Sequence, residues 1–398
     1  NGAPAGNTVI NVTNQGGLGG ATVDGIKIVD VTGASNGVFT LGNGDYLFEG
    51  APALIAGAYG YRLHKNGVTS PADGDWYLRS SLLQAPEVPL YQPGVPVYEA
   101  YGQTLAALNQ IGTMQERTGN RQWAAGDAGS FGIWGRSESA RHRPQAVRST
   151  SFTDVNVDSW KIELGADKVL SERGDGASLV LGVLGSYGEA SASIASPFGS
   201  GSIKTSGYSA GAALSWYGPQ GFYADSRGQV TWSDSKHNST VLGKLADGNK
   251  GTGQAYSVEV GKRAPIGGNL SVTPQIQTIY ATAGFDRFTD PNDAAVSSKL
   301  GDSLKTRWGL ALERQDGRSH LYGVVNLSYE WLDGTVTDVS GTPIARENHR
   351  LWGELGLGGS LKLGSRVTLY TEVWADTAIN DFGKSYTLKG IAGLRMAF

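Results

Sequence analysis

From about residue 129 to the C-terminus, apolar and polar residues alternate along twelve segments of the chain. In one of them, Trp160, Ile162 and Leu164 alternate with Lys161 and Glu163. A period of two residues is that of a β-strand with one apolar and one polar face. The pattern predicts strands near residues 129–137, 156–169, 177–188, 204–217, 221–233, 252–263, 269–282, 299–313, 319–332, 348–362, 366–376 and 385–398.

The connections between the predicted strands alternate in length. Tight turns, such as Gly218-Pro219-Gln220 and Leu363-Gly364-Ser365, alternate with long polar segments. These long segments lie near residues 138–155, 189–203, 234–251, 283–298 and 333–347. Short turns on one side and long loops on the other are typical of outer-membrane β-barrels. We therefore predict an all-β fold in which residues 119–398 form a 12-stranded antiparallel outer-membrane β-barrel.

Two further segments come before these strands. Residues 1–82 contain short β-branched runs separated by Gly and Asn, and they predict a β block that is marginally stable alone. Residues 83–96 carry four prolines and predict an extended linker.

The chain contains one convincing helical pattern, over residues 97–118. Tyr98, Tyr101, Leu105, Leu108 and Ile111 lie at helical spacing within it. At about 1.5 Å per residue the helix is about 33 Å long, close to the thickness of a bilayer's hydrocarbon core. Its other faces are polar, which lipid does not accept. We predict a helix inside a polar barrel lumen, with a soluble helix packed on a neighbouring element as the alternative.

The last predicted strand has two chemically different faces. Lys389, Ile391 and Arg395 fall on one face. The opposite face is apolar with aromatic residues at both ends, as in a strand that faces lipid. This second face carries Tyr386, Leu388, Ala392, Leu394, Met396 and Phe398. A terminal Phe on such a face resembles the signal read by the outer-membrane barrel-assembly machinery, and this resemblance implies a role of the strand in barrel assembly.

Composition narrows the possible functions. Glycine accounts for 59 of 398 residues, charged residues for only 17%, and cysteine is absent. The lack of cysteine excludes disulfides, thiol catalysis and cysteine–zinc sites, and a net charge of −3 argues against nucleic-acid binding. No run of about 18 apolar residues predicts a transmembrane helix. The chain begins with Asn1 rather than Met, which we interpret as the interior of a longer, processed chain.

Candidate catalytic motifs are weak. Gly301-Asp302-Ser303-Leu304 matches a serine-esterase motif, but Ser303 falls within a predicted strand and no helix follows it. The five histidines show no metal-ligand spacing. We therefore predict no catalytic, cofactor-binding or metal site, and keep an outer-membrane enzyme only as a minor alternative.

In this order, the segments resemble the translocator region of bacterial autotransporters (type V secretion, pertactin-like). In the β block, the resemblance to the autochaperone segment rests on Tyr59-Gly60-Tyr61-Arg62-Leu63 and Trp76-Tyr77-Leu78. In the predicted barrel, the matching motifs are Glu163-Leu164-Gly165-Ala166-Asp167, Gly301-Asp302-Ser303-Leu304, Arg307-Trp308-Gly309 and the terminal Gly393-Leu394-Arg395-Met396-Ala397-Phe398.

The resemblance implies a translocator in the outer membrane of a Gram-negative bacterium, which delivers and anchors an N-terminal passenger. Residues 1–82 are then at the cell surface and assist passenger folding. The implied partners are outer-membrane lipids, the chain's own passenger, the barrel-assembly machinery and periplasmic chaperones, and the barrel is implied to be monomeric. An outer-membrane pore or adhesin acting in its own right is the alternative.

One departure from the family bears on cleavage. Some members cut themselves inside the helix at an Asn-Asn pair about six residues before an apolar-Gly step. Ile111-Gly112 is that step here, which puts Leu105 and Ala106 where the asparagines belong. Self-cleavage in the lumen is therefore not predicted.

Overall fold

The computed structural model describes residues 3–82, 88–119 and 131–398. Residues 3–82, the β block, contain eight short strands: β1 (Asn7–Ile10), β2 (Ile26–Val29), β3 (Val38–Leu41), β4 (Tyr46–Phe48), β5 (Ala51–Ala56), β6 (Tyr59–Lys65), β7 (Trp76–Arg79) and β8 (Ser81–Leu82). Strands β1 and β3 pair in parallel, as successive turns of a β-helix do. Strands β2, β7, β6, β5 and β4 form an antiparallel sheet in that order.

The segment that follows the β block is bound to it. Residues 83–87 of the predicted linker lie outside the described residues, but β9 (Val88–Pro89) pairs with β8. The Leu90 amide donates to the Ser80 carbonyl at 2.7 Å, and the Gly60 amide donates to the Leu90 carbonyl at 2.8 Å. The described part of the predicted linker over 83–96 is therefore not free, because its backbone completes hydrogen bonds that Ser80 and the start of β6 leave open where β6 is no longer paired with β7.

Two helices occupy the region where one was predicted. Helix α1 comprises Val95–Leu108 and helix α2 comprises Met114–Thr118. The helix predicted over 97–118 is thus interrupted, and Ile111 lies between the two helices. Thr113 starts α2 anew through a reciprocal capping box with Glu116. No helix in the described ranges is both long and apolar enough to cross a membrane.

Twelve long antiparallel strands close into a barrel, which confirms the predicted fold class. Each pairs with its neighbours, and the first pairs with the last, with Ile133 opposite Met396. The barrel strands are β10 (Phe131–Arg143), β12 (Asp154–Glu172), β13 (Ser178–Ala195), β14 (Gly201–Tyr217), β15 (Phe222–Ser239), β16 (Gly243–Lys262), β18 (Leu270–Phe285), β21 (Asp302–Asp316), β22 (Ser319–Glu330), β25 (Leu351–Lys362), β26 (Val367–Ala378) and β27 (Tyr386–Ala397).

The two faces of the barrel wall differ as the alternation predicts. Leu164 and Ile162 are exposed on the outside of β12, whereas Glu163 and Lys161 are buried inside. An apolar outer surface suits lipid, while charged side chains find partners in the lumen. Tight turns connect the strands at one end of the barrel, called the turn end, and the β block sits at the other, called the loop end.

Two of the predicted long loops are mostly strand. Strands β13 and β14 continue to Ala195 and from Gly201, and β15 and β16 continue to Ser239 and from Gly243. The loops predicted over 189–203 and 234–251 are thus short hairpin connections. The ladder hydrogen bonds persist there because small polar residues remain compatible with a strand after the apolar alternation has ended.

The other three predicted loops assemble into a small sheet at the loop end. This five-stranded cap sheet has the order β11-β24-β23-β20-β19. Its strands are β11 (Ala146–Ser149), β19 (Phe288–Thr289), β20 (Ala295–Leu300), β23 (Thr335–Val339) and β24 (Thr342–Asn348). One further short strand, β17 (Ala264–Gly267), pairs with β18 in the barrel sheet at the turn end.

Candidate functional site

The barrel lumen is filled by a plug, defined as residues 95–119 with α1, α2 and the turn between them. Four residues of the predicted helix face, Tyr98, Tyr101, Leu105 and Leu108, are buried in α1, and Ile111 is buried just after it. The Tyr98 hydroxyl donates to Asp290 at 2.7 Å, and the Tyr101 hydroxyl donates to the Asn249 side chain at 2.9 Å. The two tyrosines thereby fix the N-terminal half of α1 near the loop end.

Glycines on the inner barrel wall make room for the apolar side of α1. A Cβ built on Gly188 or Gly207 would lie 3.3 Å from a methyl group of Leu108. A Cβ on Gly251 would lie 3.2 Å from a methyl group of Leu105. Part of the high glycine content thus serves close packing between helix and wall. The sequence shows the high glycine content but not which glycines meet the helix.

The polar side of α1 is covered by the cap sheet and the turn beside it. Both oxygens of the buried Glu99 carboxylate accept hydrogen bonds, from the Ser149 hydroxyl at 2.5 Å and from the Ser151 amide at 2.8 Å. Arg346 on β24 lies 3.9 Å from Glu99 and also donates to Gln103 at 3.1 Å. The helix therefore carries charged and polar groups into the lumen without leaving them unpaired.

Asn109 holds the end of α1 against the middle of the wall. Its side-chain amide donates to the carbonyls of Gln254 and Thr282 at 2.9 and 3.0 Å. Its side-chain oxygen accepts from the Thr231 hydroxyl at 3.0 Å and from Gln229 at 3.3 Å. All four bonds cross from the plug to the wall, and the sequence analysis assigned this residue no such role.

Helix α2 is tied to the wall by ion pairs. Glu116 pairs with Lys389 of β27, with 2.5 Å between Nζ and Oε2, and Arg117 pairs with Asp225 of β15. The Arg136 guanidinium donates to the Glu116 carbonyl at 2.8 Å. Such buried charges are costly when one partner is lost, since the other is left without compensation. Their alternation within strands was visible in the sequence, but their partners across the lumen were not.

A second layer of charge lies on the wall beside α2. The Glu163 carboxylate accepts from Arg227 at 2.6 Å and from Arg136 at 3.1 Å. All three side chains are buried. Because Arg136 also contacts the backbone of α2, this triad connects three barrel strands to the plug.

The described residues leave a cavity between the plug and the turn end. A cavity of about 1360 Å³ is lined there by Gly119, by the start of the first barrel strand and by the tight turns. Six cationic side chains line it against two acidic ones, and they are Arg173, Arg263, Arg318, Lys362, Arg366 and Arg395. Among the described residues, the plug therefore fills the lumen from the loop end as far as Gly119, and this cavity lies between it and the turn end.

The motif around Ser303 forms no catalytic arrangement that the described residues reveal. Ser303 lies in β21, and its hydroxyl donates to Glu330 at 2.6 Å. The same carboxylate accepts from the Leu304 amide at 2.9 Å. The hydroxyl is therefore held by a carboxylate, and this group closes the start of β21 onto β22.

The last strand presents the predicted faces to different surroundings. Lys389 points to the plug and Arg395 lines the cavity at the turn end. On the outside, the exposed residues are Leu388, Ala392, Leu394 and Phe398, while Tyr386 and Met396 are half-buried. The Phe398 amide donates to the Phe131 carbonyl at 2.9 Å, and so extends the pairing of the last strand with the first.

A closed barrel with a helical plug, apolar outside and charged within, defines an outer-membrane translocator-type barrel. Residues 133–373 match the family model described as the autotransporter beta-domain, and residues 1–63 match that of autochaperone domain type 1. The chain therefore belongs to the autotransporter family. It is an outer-membrane β-barrel of this family.

Relatives and solved structures agree with this assignment. The chain is 45% identical over 423 aligned residues to the adhesin BmaC autotransporter of Brucella suis, covering 98% of this chain and 12% of that protein. It is 26% identical to the probable autotransporter YfaL of Escherichia coli, and the match covers 97% of this chain and 32% of that protein. The chain thus spans less than a third of these relatives.

Two solved structures share the fold. The transport unit of the Escherichia coli autotransporter AIDA-I superimposes with a TM-score of 0.67 at 15% identity, covering 77% of this chain and all of that one. The translocator domain of NalP from Neisseria meningitidis superimposes with a TM-score of 0.52 at 13% identity, and the match covers 78% of this chain and 99% of that one.

Proposed function

We propose that this chain exports a passenger preceding residue 1 and then anchors it at the cell surface, with the β block as the template on which the passenger folds. The observation that carries the proposal is the single path of the chain. It leaves the β block at the loop end, passes through the lumen as the plug, and reaches Gly119 at the turn end. A passenger joined to the β block is then outside the cell while its anchor is in the membrane.

Exposed apolar side chains in the β block support the template role. Val9, Leu18, Val38 and Leu47 are between 51% and 66% exposed, although the block lies beyond the membrane. Parallel pairing of β1 with β3 leaves the stack open to a further β-helical turn. Stacked turns of a β-helix bury such apolar surface against their neighbours. The proposed occupant is therefore the last turn of the passenger.

The template role can be tested in the full-length protein by placing a charge on this surface. We expect Val9→Asp, in β1, to leave the barrel assembled but the surface passenger sensitive to protease added to intact cells. Val68→Asp, at an exposed position of the same block, is the matched control and should leave the passenger resistant. If the passenger resists protease equally in both variants, the β block is not its template.

We propose no enzymatic activity for the chain itself, because the Ser303 hydroxyl is engaged by Glu330. Export should survive Ser303→Ala, and any hydrolytic activity of the purified chain should be unchanged by it. Loss of a hydrolytic activity in Ser303→Ala with a folded barrel would contradict this.

Two finer partner assignments are also proposed. The barrel-assembly machinery is proposed to recognise the exposed apolar side of β27, with Phe398 at its end, and periplasmic chaperones are proposed to hold the chain before insertion. The hydrogen bond from the Phe398 amide to the Phe131 carbonyl extends the pairing of the last strand with the first. This supports a role of the last strand in closing the barrel. Cross-linking from position 394 to an assembly component during insertion tests the first assignment.

Adhesion is the passenger activity that we propose, since the relative from Brucella suis is named an adhesin. Cells that express the barrel with its passenger should adhere to host cells, and cells that express the barrel with the β block alone should not. Equal adhesion by both would instead favour an adhesin formed by the described chain.

A further inference from the structure

We propose that the β block has a second function, distinct from passenger folding: it retains the plug in the lumen and thereby keeps the outer membrane sealed. The proposal rests on a continuous set of contacts from the β block, through residues 88–94, to α1. Only two residues, Pro93 and Gly94, separate the last backbone bond to the block, at Gln92, from the first residue of the helix.

Backbone hydrogen bonds fasten this connecting segment to the β block. The Leu90 amide donates to Ser80, the Gly60 amide donates to Leu90, and the Gln92 amide donates to Ala58, at distances between 2.7 and 3.0 Å. Movement of α1 out of the lumen would pull this segment away from the sheet edge. All these bonds would then have to break, unless the block unfolded first.

Aromatic rings fasten the same segment to the barrel rim. Tyr91 stacks on Tyr59 of the β block with ring centroids 5.7 Å apart, and its edge meets Phe198, in the β13–β14 hairpin, at 5.4 Å. One buried hydrophobic cluster includes all three rings together with Leu90 and Val97. The block, the rim and the plug therefore share one core, so that unfolding the block removes packing from the plug.

Gln92 of this segment positions the N-terminus of α1. The Gln92 side chain accepts from the Gly94 amide at 2.7 Å and donates to Asp290 at 3.2 Å. The same Asp290 oxygen accepts from the Tyr98 hydroxyl at 2.7 Å. Loss of the position of Gln92 would thus loosen both the first turn of α1 and the loop beside it.

Two aspartates distant from this contact offer a matched pair of variants. Asp75 is buried, accepts from the Val31 amide at 2.7 Å and pairs with Lys27 at 2.5 Å. Asp30 pairs with the same Lys27 at 3.3 Å but is half exposed. Asp75→Asn and Asp30→Asn remove the same charge beside the same lysine, yet only the first disturbs the interior of the block. Neither residue touches the plug.

Planar-bilayer conductance of the complete 398-residue chain tests the proposal, with urea added on the side of the β block. Protease digestion at each urea concentration reports the unfolding of the block. We expect channel openings to begin at the urea midpoint of block unfolding, and Asp75→Asn to raise the open probability by about tenfold at a fixed urea concentration below it. Asp30→Asn should behave as wild type.

Tyr59→Ala removes the stacked ring directly. It should lower the urea midpoint of block unfolding and the urea concentration at which channel openings begin, both together. The proposal is overturned if the openings do not follow block unfolding in the wild type and these variants, for instance if the block is digested while the channel stays closed. That result would leave passenger folding on the block untouched, because passenger folding is measured by protease resistance in cells rather than by conductance.

Discussion

Glu116 near the end of the plug and Lys389 in the last barrel strand form a buried ion pair, with 2.5 Å between Nζ and Oε2. The pair joins the segment that closes the lumen to the strand that closes the barrel. Replacing Lys389 with leucine leaves the Glu116 carboxylate buried without its cation, at a cost of about 3–5 kcal/mol. We therefore expect Lys389→Leu to raise the frequency of channel openings in planar bilayers. Lys384→Leu, at an exposed loop position, should leave it at the wild-type value.

Wall glycines should control how deeply α1 is seated. Gly207→Leu would place side-chain atoms where the Leu108 methyl group now lies, and overpacking of this kind costs about 1–3 kcal/mol. We expect a lower melting temperature for the loss of the plug, measured by conductance on heating. Gly390→Leu is the control, since no atom lies within 4 Å of a Cβ there. If the melting temperature for loss of the plug is unchanged in Gly207→Leu, the wall glycines are not needed for close contact.

The two sides of β27 should respond oppositely to charge. Leu394 is exposed on the apolar outer surface, and Leu394→Arg should destabilise the folded barrel in bilayers by about 2–4 kcal/mol near the midplane. Arg395→Leu acts in the cavity at the turn end, and its loss of stability should be much smaller. Urea titration of barrels folded into lipid vesicles measures both. Equal stability of Leu394→Arg and wild type, with a large loss for Arg395→Leu, would reverse the assignment of the two faces.

The β block should lose stability in mild acid through His64. Burial lowers the pKa of its imidazole to about 4, with Arg79 and Arg62 adding repulsion, whereas an unfolded histidine has a pKa of about 6.5. Between these values the unfolded state binds more protons, so stability falls as the pH drops from about 6.5 to about 4. Protease digestion of the block at pH 7.5 and pH 5 measures this. His64→Gln should show a smaller difference; an equal difference would assign the acid sensitivity to other groups.

Much of the barrel could be predicted because alternation is a strong local signal. Strand β12 was expected over 156–169 and runs from Asp154 to Glu172. The hairpins that continue to Ala195 and Ser239 were missed, since small polar residues there carry no period-two pattern. The cap sheet was missed for a related reason: its strands are short, and their pairing joins segments distant in sequence.

The plug shows the limit of helical periodicity. Ile111 satisfies the spacing of the apolar face, but Asn109 finds four partners on the wall and the helix ends there. Those partners belong to strands more than 100 residues away, and the local sequence marks only the new start, through the capping box of Thr113 and Glu116. The ion pairs of α2 were hidden likewise, because the sequence shows which charges face inward but not which of them meet.

Export of the passenger is the central claim, and protease accessibility in intact cells tests it most directly. The full-length protein is expressed in cells with an intact outer membrane, and protease is added outside. We predict that the protease cuts the link between passenger and barrel and releases the folded passenger, which resists further digestion, while the barrel, with its tight turns inside, stays whole and membrane-bound. A passenger that remains wholly inaccessible, although the barrel is folded in the outer membrane, would contradict the account.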